Sequence, residues 1–349
     1  MNKNRAGLVL IPLALMAMPA VGLGQGAPQQ GPYRKLTEIA IGGEGGWDYL
    51  SVDAVNRRLY VSHATKVVVV DVDTNKVVGE VAPTPGVHGI AVAPELGRGF
   101  VSNGRESTVS IFDLKTLQTV GKVTTGENPD AILYVPPQKE VWAFNGRGRS
   151  ATVFDAQTGA VRATVPLPGK PEFSVFDEKT GRVYDNIEDT SQLVAIDAVT
   201  HQLAATWPIA PGQEASGLAL DPSTHRLFVG CSNELMLMVD ATAGKVLASV
   251  PIGAGVDANA FDPGTGLAFA SSSDGTLTVA REDPAGALKV VQALVTPPRS
   301  RTMTLDPKTH RLYVAAAEFA PAPPAADGRP QRPQVVAGSF KIVVYEMQK

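Results

Sequence analysis

TLDPKTHRLYVA, residues 304–315, and ALDPSTHRLFVG, residues 219–230, agree at eight of their twelve positions. Each reads as an apolar run, a tight turn opened by Asp, and a second apolar run carrying an aromatic residue. Looser copies fill the rest of the chain: SVDAVNRRLYVS (51–62), AVAPELGRGFVS (91–102), YVPPQKEVWAF (134–144), SVFDEKTGRVYD (174–185) and AFDPGTGLAFAS (260–271). Anchored on the first turn residue, they start at Asp53, Pro94, Pro136, Asp177, Asp221, Asp262 and Asp306, with separations of 41, 42, 41, 44, 41 and 44 residues. Self-similarity at a fixed period is the mark of a repeat architecture.

A second signal runs in phase with the first. Asp71, Asp113, Asp155, Asp197 and Asp240 each stand between two β-rich runs, most as Asp-x-x-Thr. Short polar side chains that bond the following backbone amides hold such hairpins. Each unit is then four short strands, A to D, joined by two hairpins and a loop. A period near 42 with four strands per unit predicts an all-β, seven-bladed β-propeller. The last copy ends in FKIVVYEMQK, one strand short, while YRKLTEIAI (33–41) resembles a D strand. The N-terminal strand is expected to complete the last blade and close the ring without a free edge. A Pro-rich insertion at about 319–338 interrupts that blade between B and C, and its composition predicts a mobile surface loop.

With 349 residues, 44% of them hydrophobic, the chain can build a sizeable core. A net charge of −3 gives no general pull toward nucleic acid or anionic membrane. Lys3 and Arg5 precede an apolar stretch broken by Pro12 and Pro19, followed by small residues. The expectation is a signal peptide over 1–24, a flexible segment over 25–32 and a single propeller domain over 33–349. The product would be periplasmic or secreted, monomeric, and without stable membrane insertion after cleavage. The one cysteine, Cys231, permits no internal disulfide and reads as a buried structural thiol.

In a propeller the D–A connections and B–C loops emerge on one face, the hairpins on the other. Five to seven positions before each anchor stands a polar residue: Asp48, His88, Asp130, Glu172, Glu214 with Ser216, Asp257 and Arg301. The B–C loops add His63, the twin Asn-Gly-Arg segments Asn103–Arg105 and Asn145–Arg147, and Glu188. All map to the first face, the candidate binding surface. The opposite hairpins carry mainly turn chemistry, and His201, His225 and His310 fall there as turn residues. A ring of solvated carboxylates needs no ligand, and loop Asn and Gly are explained by turns alone. His63 and His88, in adjacent blades, are the candidate catalytic histidines. Asp48, His88 and Asp130 are the candidate ligands of a divalent cation, Ca or Mg, at the channel mouth.

No G-x-S-x-G elbow, H-E-x-x-H pair, Walker A segment, dinucleotide fingerprint or C-x-x-C-H motif occurs. RLYVS, RLFVG and RLYVA resemble the YVTN-type repeat of YncE-like exported propellers. A subset with GGWDYL, GVHGIA, GENPDAI, FNGR, NIEDTS and an insertion before GSF is similar too. The resemblance implies an exported seven-bladed propeller and no single reaction. The absence of a compact catalytic motif favours a module that binds a small molecule or a periplasmic protein. A metal-dependent hydrolase or lyase of the lactonase-like kind is the alternative, with Arg301 holding an anionic substrate. Single-stranded nucleic-acid binding, which the resemblance also brings in, would use Arg105, Arg147 and Arg149 with Trp47 or Phe144 as stacking platforms. The acidic mouth argues against it.

Overall fold

The structure, a computed structural model, describes residues 31–322 and 333–348. The expected signal segment, all but the last two residues of the flexible segment, and the centre of the Pro-rich insertion lie outside the described residues. Strands alternate with tight turns from Tyr33 to Met347 and form seven four-stranded antiparallel sheets. Blade one comprises Leu50–Asp53, Arg58–His63, Lys66–Asp71 and Lys76–Val81. Blades two to six begin with the inner strands Val87–Ala93, Pro129–Val135, Pro171–Asp177, Ala215–Asp221 and Val256–Asp262. Blade seven is Met303–Asp306, Arg311–Ala316 and Lys341–Met347, completed by Tyr33–Ala40 from the N-terminal side. The sheet is therefore a closed seven-bladed propeller, as the repeat predicts.

Burial follows strand position. The B strands are nearly wholly buried, and the D strands alternate between exposed and half-buried. The aromatic of each repeat unit, Tyr60, Phe100, Trp142, Tyr184, Phe228, Phe269 and Tyr313, is buried. Seven apolar clusters each span two consecutive blades, and one of them joins blade seven to blade one through Tyr313, Ile342 and Val344 against Leu59, Val61 and Val70. Each seam buries several large side chains worth about 1.5–3 kcal/mol apiece. The ring closes because its last seam is packed like the others. On the other side of blade seven, Gln292 of blade six fastens the closing strand, exchanging 2.9 Å and 2.8 Å hydrogen bonds with the backbone of Tyr33.

The C–D turns follow the chemistry read from sequence. Oδ1 of Asp71, Asp113, Asp155 and Asp197 accepts the amides two and three residues on and the Thr hydroxyl. The A–B hairpins do more than turn. Nδ1 of His225 meets Asp177 of the preceding blade at 2.8 Å, and Nδ1 of His310 meets Asp262 at 2.8 Å. Arg57, at the same hairpin position, donates to both oxygens of Asp306 at 3.1 and 2.8 Å. These residues adopt φ values of 55°, 58° and 57°, the left-handed geometry that lets the side chain leave its own turn and reach its neighbour. The ends of the Pro-rich insertion are ordered by pairing: Phe319 bridges Val335, and Phe319 packs against Trp47.

Candidate functional site

Five inner strands carry the same irregularity at their first residues. The ladder slips by one residue between Val87 and Ile90, Pro129 and Ile132, Pro171 and Ser174, Ala215 and Leu218, and Val256 and Ala258. Each slip is a one-residue bulge, which bends a strand and re-aims a side chain. His88, Asp130, Glu172, Ser216 and Asp257 sit inside these bulges, and Asp48 and Arg301 precede the two shortest inner strands. Side chains of the B strands hold the bulged backbones of the next blade: Ser102 Oγ donates to the carbonyl of Asp130 at 2.6 Å, and Asn186 Nδ2 to that of Ser216 at 2.9 Å.

These seven side chains line one cavity of about 300 Å³ at the channel mouth, together with Tyr49, Lys170, Glu188, Glu214 and Ser232. In blade five the bulged Ser216 takes the station and donates to Asp257 Oδ1 at 3.2 Å. Glu214 stands at the rim, accepting from Ser232 Oγ at 3.0 Å. Below the polar ring, Tyr49 and Phe173 stack with centroids 4.4 Å apart, from blades one and four on opposite sides of the channel. The Tyr49 hydroxyl is buried and has no hydrogen-bond partner among the described residues. A separate apolar cavity beyond this pair is lined by Val175, Phe176, Leu220, Phe261 and Leu305.

Charge in the mouth is unbalanced: six carboxylates face Lys170, Arg301 and His88. His88 Nδ1 donates to Asp48 Oδ2 at 2.6 Å and lies 3.6 Å from Asp130 Oδ1. Burial opposes charge on this ring, but the Asp48 hydrogen bond and the fields of Asp130, Asp48 and Glu172 raise its pKa overall. Lys170 Nζ contacts Glu172 and Glu188 at 2.5 Å each, and Arg301 Nε lies 3.4 Å from Asp257. The cations do not suffice. Burial and repulsion from Asp48 push Asp130 up to about 6. Burial and repulsion from Asp130 push Glu172 up to about 8. Asp257, raised by burial and held back by Arg301, reaches about 7. Perturbed carboxyls gathered in one cleft are the physical signature of a binding or reactive site.

The other sequence candidates divide. His63 does not enter the cavity: it is buried, stacked on Phe340 at 4.6 Å, and burial lowers its pKa. Asn103 and Asn145 turn inward, and their Nδ2 groups donate to Ser110 and to Ser150 and Thr152 of their own blades. The glycines that follow serve the next site residue. A Cβ on Gly104 would lie 2.6 Å from His88 Nε2. Arg105 packs over Gly86, and Arg147 is an exposed residue 3.8 Å from Glu127. Phe144 is fully buried and Trp47 stacks on Phe340, so neither is a free stacking platform. Cys231 is buried, and burial pushes its thiol up to about 12.

Sequence reasoning missed Lys170, the Tyr49–Phe173 pair and Asp185. Asp185 is fully buried beneath the ring, both oxygens lack a partner, and burial followed by the field of Glu172 raises its pKa far above the carboxylate range. The other blades place Val61, Val101, Ala143, Val229, Ala270 and Val314 at its repeat position. Superposing the repeats column by column exposes it as the one acid in an apolar column.

No family model matches this sequence, and no curated protein sequence matches it. The chain is similar in fold to a chain of the crystal structure of the mitotic checkpoint complex, with TM-score 0.73 and 13% identity over 98% of this chain and 99% of that one. At that identity the likeness shows the propeller fold alone. Because 1862 chains of solved structures match it, function has to be argued from the site. Among the described residues, no helix is long and apolar enough to cross a membrane.

Proposed function

We propose that this propeller is an exported binding module that captures a compact, hydrophilic, positively charged ligand in its acidic mouth cavity. One observation carries the reading: seven blades deliver polar side chains, five of them through β-bulges, to a single cavity that Tyr49, stacked on Phe173, also lines. A volume of about 300 Å³ corresponds to roughly ten water molecules. The excess of carboxylates favours a cation. Export rests on the N-terminal sequence pattern and on the likeness of the repeats to YncE-like propellers. A metal-dependent hydrolase or lyase is the second reading, favoured by donor atoms of Asp48, His88 and Asp130 that lie within 4.8 Å of one another.

A thermal-shift screen of the full chain in chelator against small polar amines, amino acids and sugar acids tests the capture reading. Amine-bearing compounds should raise the melting temperature by a few degrees. Ser216→Trp, which fills the cavity while leaving all six carboxylates in place, should abolish the shifts, while Ser216→Ala, which also loses the bond to Asp257, keeps them. Shifts that persist in Ser216→Trp, or none in the wild type, overturn the proposal.

A further inference from the structure

The Asp48–His88–Asp130 cluster differs from the rest of the acidic ring in having an imidazole between two carboxylates. Its donors come from the first three blades at the same structural station, so the ring geometry itself fixes their spacing. His88 Nδ1 lies 2.6 Å from Asp48 Oδ2 and 3.6 Å from Asp130 Oδ1, and the three donor atoms lie within 4.8 Å of one another. A triangle with those sides has a centre no more than about 2.4 Å from every donor, close to the 2.0–2.2 Å that borderline divalent ions adopt with nitrogen and oxygen. The His88 ring is held from behind by Gly104, where even a Cβ would approach Nε2 to 2.6 Å.

A second observation at the same cavity points to a ligand. The Tyr49 hydroxyl lines it, is fully buried, has no hydrogen-bond partner, and lies in the field of Asp130, Glu172, Asp48 and Asp257. Asp257 Oδ2 is buried too, but it faces Arg301 Nε at 3.4 Å and so is already compensated. A buried phenol facing a wall of acceptors lacks its partner unless something enters to supply one. A hydrated cation held at this wall would supply one, its charge offsetting that of the carboxylates and a bound water accepting from the phenol.

We propose that Asp48, His88 and Asp130 bind a divalent ion of the first transition row, Mn²⁺ to Zn²⁺, on one wall of the mouth cavity, the ion taking the place of the Nδ1 proton that His88 shares with Asp48 and releasing that proton to solvent. The imidazole decides the class. Ca²⁺ and Mg²⁺ take oxygen donors, whereas a nitrogen among two carboxylates suits the borderline ions. This revises the Ca or Mg expected from the sequence. With three protein donors on one side, the other positions face the cavity, where Glu172, Asp257 and Arg301 stand. The inference rests on the proposed capture site and names what it holds first.

Mn²⁺ is the probe. The full chain, freed of metal, is titrated with MnCl₂, and the free-ion electron paramagnetic resonance signal is followed. Expected is one saturable Mn²⁺ per chain, displaced by Zn²⁺ and retained against equimolar Ca²⁺ or Mg²⁺. Changing even the outer partners of a metal ligand costs about 10–100-fold in affinity, so His88→Ala, Asp48→Asn and Asp130→Asn should each cost at least that. His310→Ala, on the opposite face, should cost nothing. Asp48→Asn and Asp130→Asn are near-isosteric, and circular dichroism reports whether each variant is folded. No saturable binding overturns the proposal. So does affinity that falls equally in Glu188→Gln and Glu214→Gln and vanishes at 0.5 M salt, which is diffuse attraction to the ring. Displacement by Ca²⁺ as readily as by Zn²⁺ removes His88 from the ligand set. The chelator screen with Ser216→Trp stands apart, so a lost metal site and a lost capture site give different results.

Discussion

The two faces of this ring use the same residue types in opposite ways. On the hairpin face, Asp177, Asp262 and Asp306 are buried, and each meets a hydrogen-bonding side chain from the next blade: His225, His310 or Arg57. The turn amides saturate the C–D aspartates, and the backbone amide three residues on is the main cause of lowered pKa values at Asp71, Asp113, Asp155 and Asp197. On the loop face, burial with too few cations beside them raises Asp130, Glu172 and Asp257, and among the described residues the Tyr49 hydroxyl and Asp185 have no hydrogen-bond partners. Composition does not separate scaffold from site here. Satisfaction does: a carboxylate with its full complement of donors holds blades together, and one left short is available to something else.

The largest expected effect lies on the satisfied face. The Asp306 side chain is 0% exposed and its Arg57 partner 11%. Removing one partner of a buried pair strands the other charge, at about 3–5 kcal/mol. Arg57→Ala should therefore lower the unfolding free energy measured by urea titration by an amount of that order, with Asp306→Asn in the same chain recovering part of it. The accompanying Arg57–Asp73 contact adds little, because Asp73 is 58% exposed. A loss under about 1 kcal/mol would show that the inter-blade pairs are decoration and erase the contrast between the faces.

pH separates the faces next. For the raised acids the folded chain holds more protons than the unfolded one between about pH 4 and pH 8, so stability falls as pH rises through that window. His88, also raised, contributes in the same direction, being most stabilising below its unfolded value. For Asp306 burial works against ionisation, but the Arg57 and Thr309 hydrogen bonds outweigh it and lower the pKa. Its contribution is present above about pH 4 and is lost as pH falls below that. The melting temperature should thus peak near pH 4–5 and decline toward pH 8. Glu172→Gln with Asp257→Asn should flatten the alkaline limb and leave the acid limb intact. A flat profile in the wild type from pH 5 to pH 8 would mean the mouth acids are not strained.

The fold was legible because each blade repeats the same strand pattern with a turn signature at fixed offset, and even the closing strand at Tyr33–Ala40 could be read from its likeness to other D strands. The polar station was legible for the same reason. What the repeat did not disclose was partnership. His63 and His88 looked equivalent as loop-face histidines, yet one lies under Phe340 and the other in the cavity. His225 and His310 looked like turn residues, and their reach into the preceding blade depends on a left-handed φ that sequence does not display. Tyr49 and Phe173 meet only because blades one and four face each other across the channel, 124 residues apart in sequence. Asp185 alone had left a trace, as an acid in a column of Val and Ala.

The twin Asn-Gly-Arg segments offer the finest test, because they are alike in sequence and differ in what stands behind the glycine. A Cβ on Gly104 would come within 2.6 Å of His88 Nε2, 2.8 Å of its Cδ2 and 2.9 Å of Asn128 Oδ1. On Gly146 the nearest atom would be Asn128 Nδ2 at 3.4 Å, an ordinary contact. Gly104→Ala must push the imidazole toward the cavity, and the ring can give way because it ends in open space on that side. The stability cost should stay under about 1 kcal/mol, the usual range for a substitution that displaces only a side-chain tip. The cost in Mn²⁺ affinity should be much larger, about tenfold, since it moves a donor atom. Gly146→Ala should change neither. His88 imidazole resonances shifted in Gly104→Ala alone would tie the loop to the site. Equal effects from both glycines would mean that the first Asn-Gly-Arg segment supports His88 no more than the second does.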